Sequence, residues 1–318
     1  MILILTNKWD ISVDFVIKQL QSAGVNYLRL NTEDLPNLSS TFNFPNFEFW
    51  VKKKEKEIDL SKTVKVIWNR RPGLPFENVS NKKNGVNRFV DNQWFTWIES
   101  LQLIPNVTWI NNPTANTIME CKPRQLFLAD KMGFSIPKTI ISNDILEIND
   151  FIIENKKCIV KALYSPLIKE NEVDKFIFTN SVSQINGLEK ESVQLSPSIF
   201  QQSINPKIDY RVTVVGDEIL PVKIAVSNDF LEYPVDWRTI ETGISYQLCH
   251  LPKGIEQLCK EYVRENGLLF GAIDLVEQDG IYYFLEINPN GEWGWLQYPN
   301  SIPIADSITR LLLHYEKG

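Results

Sequence analysis

The chain has 318 residues, a length that suggests about two domains. Its composition is typical of a globular protein, with 43% hydrophobic, 23% charged and 11% aromatic residues, which excludes disordered, collagen-like and disulfide-rich classes. The formal net charge of -6 gives no general attraction to nucleic acid or to an anionic membrane. We therefore expect partners to be selected by a defined site and not by bulk charge.

The chain contains two histidines and four cysteines. With only His250 and His314, a histidine-based metal centre or a Ser/His/Asp triad has very little material to draw on, which excludes most hydrolases. The cysteines form no CxxC pair, as expected in a reducing cytosol. No apolar segment approaches the roughly 20 residues of a membrane span. We therefore expect a cytoplasmic protein with no membrane and no nucleic-acid partner.

Hydrophobic periodicity predicts the elements of the first third of the chain. In order, they are strand 2–5, helix 13–23, strand 27–30, strand 47–51, strand 64–68 and helix 87–103. The opening strand-helix-strand pattern is typical of a parallel sheet, to which we assign all four strands. The charged run at 52–57 is expected at a solvated edge or loop. The apolar stripe with Trp94 and Trp97 is expected in the core or in a subunit contact.

Turn residues at 105–113 suggest a boundary before the remaining elements. In order, these are helix 123–132, strand 138–142, a helix around Phe151, strand 158–163, strands from residue 212, helix 255–265, a hairpin and a closing helix of about ten residues from Ile304. Pro123 suits the first turn of its helix, and Gly133 suits a left-handed helix end.

Asp279-Gly280 separates two apolar runs and predicts a hairpin. Glu286 and Asn288 are two residues apart, so both project from one face of the second strand. A two-residue loop would turn Asp274 away from that face, toward apolar neighbours, whereas a three-residue loop would place it beside Glu286 and Asn288. Because a buried aspartate without a partner is costly, we predict the three-residue loop.

Asp274, Glu286 and Asn288 would then form a site for a hard cation, suited to Mg²⁺ bound together with phosphate oxygens. The alternative is an ordinary hairpin whose acids face solvent. Lys161 interrupts an apolar strand and Lys122 precedes a helix; each alone fits a surface lysine equally well. Together with a magnesium site, the two lysines suggest a triphosphate. Neither GxxxxGK[ST] nor GxGxxG occurs, which excludes the P-loop and Rossmann modes of binding.

The most distinctive motif is Glu-Ile-Asn-Pro-Asn-Gly-Glu-Trp-Gly-Trp at residues 286–295. Further motifs along the chain are Asn31-Thr-Glu-Asp34, Trp68-Asn-Arg-Arg-Pro72, Asn112-Pro113, Val160-Lys161-Ala162, Phe200-Gln-Gln-Ser-Ile204, Asp209-Tyr-Arg-Val212, Asp236-Trp-Arg238 and Gly271-Ala-Ile-Asp274. In this order they resemble ATP-grasp enzymes and, more narrowly, the graspetide (microviridin-type) peptide maturases of that superfamily. The resemblance spans nearly the whole chain.

The resemblance implies an ATP-grasp fold, α/β and α+β in class. It would comprise an N-terminal α/β domain at residues 1–110, central helices with a small lid at 111–204, and a C-terminal antiparallel sheet with the metal site at 205–318. ATP would lie between the lid and the C-terminal sheet. The family also implies a homodimer, although the sequence shows no self-complementary patch.

The resemblance implies a set of site residues. They are Asp274, Glu286 and Asn288 for magnesium; Lys122, Lys161, Gln201, Gln202, Ser203 and Ile204 for ATP; and Asp209, Arg211, Arg238 and Asn288 for catalysis. Two departures stand out. Gln202 replaces a common glutamate of the hinge, which argues against a ribose contact there. The lid segment 164–168 lacks the usual glycines, so that closure of the lid would rely on Ser165 or the lid would become ordered only with substrate. The run from Trp293 to Trp295 is expected to pack and to fix the loop.

By resemblance, the chain would be an ATP-dependent macrocyclase. It would activate Asp or Glu side chains of a ribosomally made precursor peptide as acyl phosphates and join them to Ser or Thr hydroxyls or Lys amines. Positioning and charge neutralisation would suffice for this chemistry, in agreement with the missing triad. The alternatives are an ATP-grasp ligase that joins free amino acids or small peptides, and a binding module without turnover.

Overall fold

The computed structural model describes residues 1–53, 55–76, 85–170, 173–186, 189–227, 235–240 and 242–317. No helix in these ranges is long and apolar enough to cross a membrane. The described residues form eighteen strands, in chain order β1 (Ile2–Thr6), β2 (Tyr27–Asn31), β3 (Ser39–Asn43), β4 (Glu48–Lys53), β5 (Lys56–Asp59), β6 (Val66–Asn69), β7 (Thr108–Ile110), β8 (Thr139–Ser142), β9 (Cys158–Lys161), β10 (Leu167–Glu170), β11 (Val173–Phe176), β12 (Asn180–Val182), β13 (Ser198–Gln202), β14 (Ile208–Val215), β15 (Glu218–Val226), β16 (Ile244–Leu248), β17 (Phe270–Gln278) and β18 (Ile281–Asn288).

The same residues form ten α-helices. In chain order, they are α1 (Ser12–Ser22), α2 (Leu60–Thr63), α3 (Gly85–Ser100), α4 (Pro113–Met119), α5 (Lys122–Met132), α6 (Ile145–Asn155), α7 (Glu189–Gln194), α8 (Lys253–Glu265), α9 (Gly294–Gln297) and α10 (Ile304–Lys317). The predicted end of α5 is confirmed, since Gly133 adopts a left-handed φ of 99°. Trp94 and Trp97 of α3 pack against each other, and Trp97 also packs edge-on against buried Phe49, which confirms their place in the core.

A parallel sheet with the order β2-β1-β6-β7 forms the centre of the N-terminal part. Three of the four strands that we assigned to it are confirmed, but the strand predicted at 47–51 is wrongly assigned. It forms β4 of a separate antiparallel sheet, β3-β4-β5, because its short connections cannot make a parallel crossover. Strand β7, in the segment that we interpreted as a boundary, is the fourth parallel strand. The charged run at 52–57 is exposed around the β4-β5 turn, as predicted, with Lys54 outside the described residues.

Two further sheets face each other across a cavity. The smaller has the order β12-β9-β13-β8, and the β10-β11 hairpin follows β9. The larger is antiparallel, with the order β16-β15-β14-β17-β18. One face of the larger sheet packs against α5 and α8 in a core that includes Val212, Tyr262 and Phe284. The opposite face of β14, β17 and β18 is left to line the cavity.

The β17-β18 hairpin corrects our prediction of the loop. Gln278 pairs with Ile281, so the loop has two residues, Asp279 and Gly280, both with positive φ. In this loop a regular ladder would place Asp274 and Glu286 on opposite faces. A β-bulge between Asp274 and Leu275 shifts the register by one residue, so that Asp274 lies opposite Glu286. The predicted convergence is therefore right, but the bulge produces it and not a longer loop.

One hydrophobic core joins the two ends of the chain. Ile4 of β1 and Val16 of α1 belong to the same buried cluster as Phe270 of β17 and Ile308 of α10. Helix α10 has 14 residues, longer than predicted, and its buried stripe extends to Leu312. The C-terminal sheet is thus joined to the N-terminal parallel sheet through a shared core, in which α10 contacts both β6 and β14. The domain limits at residues 110 and 204 stay predictions.

Candidate functional site

A cavity of about 720 Å³ lies between the β9-β13 sheet and the β14-β17-β18 face. All twelve residues that the sequence singled out line it, namely Lys122, Lys161, Gln201, Gln202, Ser203, Ile204, Asp209, Arg211, Arg238, Asp274, Glu286 and Asn288. They come from α5, from two sheets and from a loop, which are distant in sequence. The structure therefore brings the predicted residues together, while their individual roles stay predictions.

The acidic centre of the cavity is built on the β17-β18 bulge. The Nη1 of Arg211 donates to both carboxylate oxygens of Asp274 at 2.9 Å. The Nδ2 of Asn288 donates to Asp274 Oδ2 at 3.2 Å, and Lys122 Nζ lies 3.4 Å from Glu286 Oε2. Strand pairing sets this geometry, because Arg211 of β14 lies opposite Asp274 on β17, which in turn lies opposite Glu286 on β18.

The two facing carboxyl groups differ in their electrostatic surroundings. Burial raises the pKa of Asp274 above its usual range; Arg211 opposes this shift and the charge of Glu286 adds to it. Burial also acts on Glu286, but the charges of Lys122, Lys161, Arg238 and Arg211 together outweigh it and hold the pKa of Glu286 below its usual value. A cation near both carboxylates would favour the charged form of each.

The donor set fits magnesium. No group of three or more His, Cys, Asp or Glu side chains that could hold a metal ion occurs within the described ranges. Asp274, Glu286 and Asn288 instead offer two carboxylates and one amide oxygen, all hard oxygen donors. Mg²⁺ is commonly bound by one or two carboxylates, with waters and substrate phosphates completing its shell. The set therefore suits a metal that arrives with a nucleotide.

Four cationic side chains surround this acidic centre: Arg211, described above, together with Lys122, Lys161 and Arg238. Lys122, at the start of α5, donates from Nζ to the carbonyl of Ala162 at 3.1 Å. Lys161, at the end of β9, is so deeply placed that burial lowers its pKa, while the charge of Glu286 opposes this effect. Arg238 is held by Asp236, whose two carboxylate oxygens accept from Nε and Nη2 at 2.8 Å each. The cavity thus concentrates positive charge around two carboxylates, as an anionic triphosphate requires.

The last residues of β13 and the segment that follows them form the opposite end of the cavity. The backbone N–H groups of Gln202 and Ser203 donate to the carbonyls of Lys138 and Lys157 at 2.8 Å each. Gln201 is fully buried, and its Nε2 donates to Thr139 Oγ1 at 2.9 Å. The Oε1 of Gln201 has no hydrogen-bond partner among the described residues. An unsatisfied buried acceptor suits a ligand that carries an amino group, such as adenine.

Asp209 lies on β14, close to this segment. Its Oδ1 accepts from Lys207 Nζ at 2.8 Å, and Lys207 also donates to the carbonyl of Val235 at 3.1 Å. The predicted lid residue Ser165 also lines the cavity, and its Oγ accepts from the backbone N–H of Leu167. Both side chains therefore border the space between the two sheets.

Two further cavity residues, Arg71 and Trp295, lie outside the predicted set of site residues. Arg71 lies just after β6 and forms an ion pair with Glu292. Trp295 packs against Trp237 and Tyr246, and the three rings form an aromatic cluster at the wall of the cavity. A signal for Arg71 existed in the sequence, because ligands of α/β sheets bind beyond the carboxyl ends of the parallel strands.

The aromatic run was predicted to pack, and its two tryptophans both do so. Trp293 is fully buried, and Arg70 lies over its ring at 5.9 Å, so the packing prediction is confirmed for Trp293. The prediction also holds for Trp295, which packs against Trp237 and Tyr246, but this second tryptophan lines the cavity as well. One-turn helix α9 begins between them and turns the second ring toward the open space.

Solved structures with the same fold support the class of protein. The macrocyclase MdnC bound with precursor peptide MdnA from Microcystis aeruginosa MRC matches over 99% of each chain, with a TM-score of 0.84 and 24% identity. A RiPP-associated ATP-grasp ligase from Chryseobacterium gregarium, in complex with ADP and a leader and core peptide, matches 98% of this chain and 96% of its own, with a TM-score of 0.83 and 28% identity. The chain therefore has the ATP-grasp fold.

Structural similarity over nearly the whole chain confirms the resemblance to peptide-modifying ATP-grasp enzymes. The macrocyclase MdnB from Microcystis aeruginosa MRC also matches, with 98% coverage of each chain, a TM-score of 0.75 and 26% identity. Among curated proteins, the tetrahydromethanopterin:alpha-L-glutamate ligase of Methanocaldococcus jannaschii is 24% identical over 115 residues, which is 36% of this chain and 38% of that protein. No protein-family model matches the chain.

Proposed function

We propose that this protein is an ATP-dependent peptide macrocyclase of the microviridin-like kind. The observation that carries the proposal is the convergence of Asp274, Glu286 and Asn288 with four cationic side chains in one cavity of an ATP-grasp fold. Solved structures with this fold at 24% to 28% identity are described as a macrocyclase with its precursor peptide and as a ligase with leader and core peptides.

The proposed roles follow from the chemistry of each group. Asp274, Glu286 and Asn288 would hold Mg²⁺. When bound, this cation would neutralise part of the negative charge of the phosphates. Lys122 and Lys161 would contact the phosphates and the base of ATP, and the segment 201–204 would bind adenine, with Gln202 in place of a glutamate. Arg211 and Arg238 would neutralise charge on the transferred phosphoryl group, and Asp209 would lie near the ribose or the reacting groups.

The reaction needs no enzyme nucleophile. A substrate carboxylate takes the terminal phosphoryl group of ATP, which gives an acyl phosphate and ADP. A Ser or Thr hydroxyl, or a Lys amine, then attacks the acyl carbon and expels phosphate, with loss of the attacking proton. Each ester or amide ring thus removes one water from the peptide. The protein contributes alignment and charge neutralisation, which lower the barrier when donors are already in place.

A short reading frame rich in Thr, Glu and Asp next to the gene would supply the candidate substrate. Its peptide should be incubated with the protein, ATP and Mg²⁺ and then measured by mass spectrometry. We expect the loss of one water mass per ring and the formation of ADP. Unchanged peptide mass, with no ADP formed, would contradict the proposal.

A second candidate is a ligase that adds free amino acids, favoured by the match over 115 residues to a curated glutamate ligase. In that case the product would gain the mass of an amino acid residue. A binding module without turnover would form no ADP. Glu286→Ala and Asn288→Ala separate turnover at this site from background, because peptide-dependent phosphate release should fall in both variants.

We further propose that the enzyme works in the cytoplasm as a homodimer. Free thiols at all four cysteines are consistent with a reducing compartment. Sedimentation equilibrium at micromolar concentration would measure the mass in solution. A single-chain mass would contradict the homodimer without affecting the proposed reaction.

A further inference from the structure

The backbone between and after the proposed metal ligands is held by buried side chains from distant parts of the chain. Strand β18 is at the edge of its sheet, so its outer backbone groups at this end need partners from outside the sheet. Gln125 of α5, which is 2% exposed, supplies them at Ile287. Its Nε2 donates to the carbonyl of Ile287 at 2.9 Å, and its Oε1 accepts from the N–H of Ile287 at 3.0 Å. Ile287 lies between Glu286 and Asn288.

Asn111 holds Pro289, the residue that directly follows Asn288. It is 1% exposed and lies just after β7. Its Nδ2 donates to the carbonyl of Pro289 at 2.9 Å and to the carbonyl of Phe270 at 2.8 Å. Its Oδ1 accepts from the N–H groups of Leu269 and Phe270. One amide therefore ties the start of β17 to the residue that follows Asn288.

Arg70 holds the two residues beyond Pro289. Its side chain is 2% exposed, and Nη1 donates to the carbonyls of Asn290 and Gly291 at 3.0 Å each. The guanidinium is fixed on its other side by Asp10, whose Oδ2 lies 3.0 Å from Arg70 Nε. A buried guanidinium with this many partners has one favourable position, so the loop is anchored to the N-terminal sheet.

We infer that Gln125, Asn111 and Arg70 are positioning residues that fix Glu286 and Asn288 for the cation of Mg-ATP. This inference rests on the proposed function. The three side chains bind backbone groups at residues 287, 289, 290 and 291, which alternate with the ligands at 286 and 288 or directly follow them. None of the three belongs to the ligand set, so each acts through the backbone. Loss of such outer partners typically lowers metal affinity by about 10- to 100-fold.

The test is Gln125→Met, which keeps the size of the side chain and removes both hydrogen bonds to Ile287. Mg²⁺ is titrated into protein with a non-hydrolysable ATP analogue, and binding is followed by calorimetry. We expect the half-saturating Mg²⁺ concentration to rise about 10-fold. Affinity for the analogue without Mg²⁺ should stay unchanged, and excess Mg²⁺ should restore binding.

Tyr262→Phe is the matched control. Tyr262 Oη donates to the backbone carbonyl of Gln125 at 2.8 Å, so this variant loses a buried hydrogen bond to the same residue without touching Ile287. It should lower the free energy of unfolding and leave the Mg²⁺ titration unchanged. If Gln125→Met behaves like this control, with lower stability and an unchanged Mg²⁺ titration, Gln125 has only a structural role and the inference is wrong.

Arg70→Lys keeps the test possible if Gln125→Met does not fold. Lysine retains the charge opposite Asp10 but cannot span the same carbonyls with a planar fork. We expect a smaller shift of the Mg²⁺ titration in the same direction, and an unchanged titration would contradict the inference. If the unaltered protein shows no Mg²⁺-linked nucleotide binding, the proposed function itself fails, which distinguishes that outcome from failure of the positioning role.

Discussion

Gly291 lies where the loop after Asn288 passes against the Arg211 guanidinium. A Cβ at this position would lie 2.6 Å from Arg211 Nη2 and 2.7 Å from the Cβ of Ala272. The guanidinium could move away, but the Cβ of Ala272 belongs to a central strand and cannot. Glycine is therefore required by close approach, in the same loop that Arg70 anchors.

Gly291→Ala should lower the free energy of unfolding by about 1 to 3 kcal/mol through overpacking. It should also weaken Mg-ATP binding, because Arg211 and Asn288 are displaced. Gly271→Ala is the control, since its Cβ would meet the side chains of Ile287 and Val263 on the core face. Urea unfolding and calorimetry of both variants check this prediction, and equal nucleotide affinity in the two would contradict it.

Asp236 illustrates how one buried carboxylate can serve a neighbouring cation. Burial raises the pKa of Asp236, but the hydrogen bonds and charge of Arg238 outweigh burial, so its pKa lies below the usual value. The carboxylate of Asp236 also accepts a hydrogen bond from the backbone N–H of Thr179, the residue just before β12. It therefore links Arg238 to the segment that precedes β12.

Asp236→Asn should cost about 1 to 3 kcal/mol of unfolding free energy near neutral pH, as for a buried hydrogen bond to a charged group. Because the folded-state pKa is depressed, the ionised form stabilises the fold above the unfolded pKa of about 4, and this contribution is lost as the pH falls further. Urea unfolding from pH 7 downward should show the two proteins converging only below about pH 4. A constant difference across that range would contradict the assignment.

At the scale of elements, the β17-β18 hairpin shows what the sequence could predict. The Asp279-Gly280 turn, the strands and the convergence of Asp274 with Glu286 are all confirmed. The predicted loop length was wrong, because the bulge between Asp274 and Leu275 is invisible in the pattern of residues. A bulge depends on strand twist and on neighbours such as Gln125, which come from other parts of the chain.

Gly280→Ala tests the observed loop. Gly280 has a φ of 82° with open space around it, so alanine adds backbone strain and no clash. We expect a loss of about 1 to 2 kcal/mol in unfolding free energy and unchanged nucleotide binding. Gly254→Ala in α8 also enters open space but in a helix, and should be neutral or stabilising by up to about 1 kcal/mol. Equal effects of the two substitutions would contradict the two-residue loop.

At the scale of the whole molecule, the candidate site depends on how sheets are packed together. The cavity lies between the β9-β13 sheet and the C-terminal sheet, and that sheet shares a core with the N-terminal parallel strands. Residues from positions 71 to 295 therefore contribute to one space. Substitutions far from the cavity can act on it through this shared core.

The four free cysteines report on this packing. Cys121 is exposed next to Lys122, while Cys158 and Cys259 are buried, and burial raises the pKa of Cys259 to about 12. A thiol reagent should label Cys121 first, and Cys158 and Cys259 only on unfolding. Mg-ATP should slow the labelling of Cys121, because Lys122 is a proposed phosphate contact. Mass spectrometry of timed samples checks the order, and equal rates at Cys121 and Cys259 would contradict the fold.

The sequence by itself determined the local features: the order of most strands and helices, the caps at Pro123 and Gly133, and the motif residues that line the cavity. These follow from hydrophobic periodicity, turn chemistry and residue types, which act between near neighbours. Only the tertiary structure decided the placement of β4 outside the parallel sheet, the bulge that aligns Asp274 with Glu286, and the support of residues 287–291 by Arg70, Asn111 and Gln125. The side-chain support joins segments more than 150 residues apart, and the placement of β4 and the bulge depends on how strands pair, so no local pattern of residue types contains these energies.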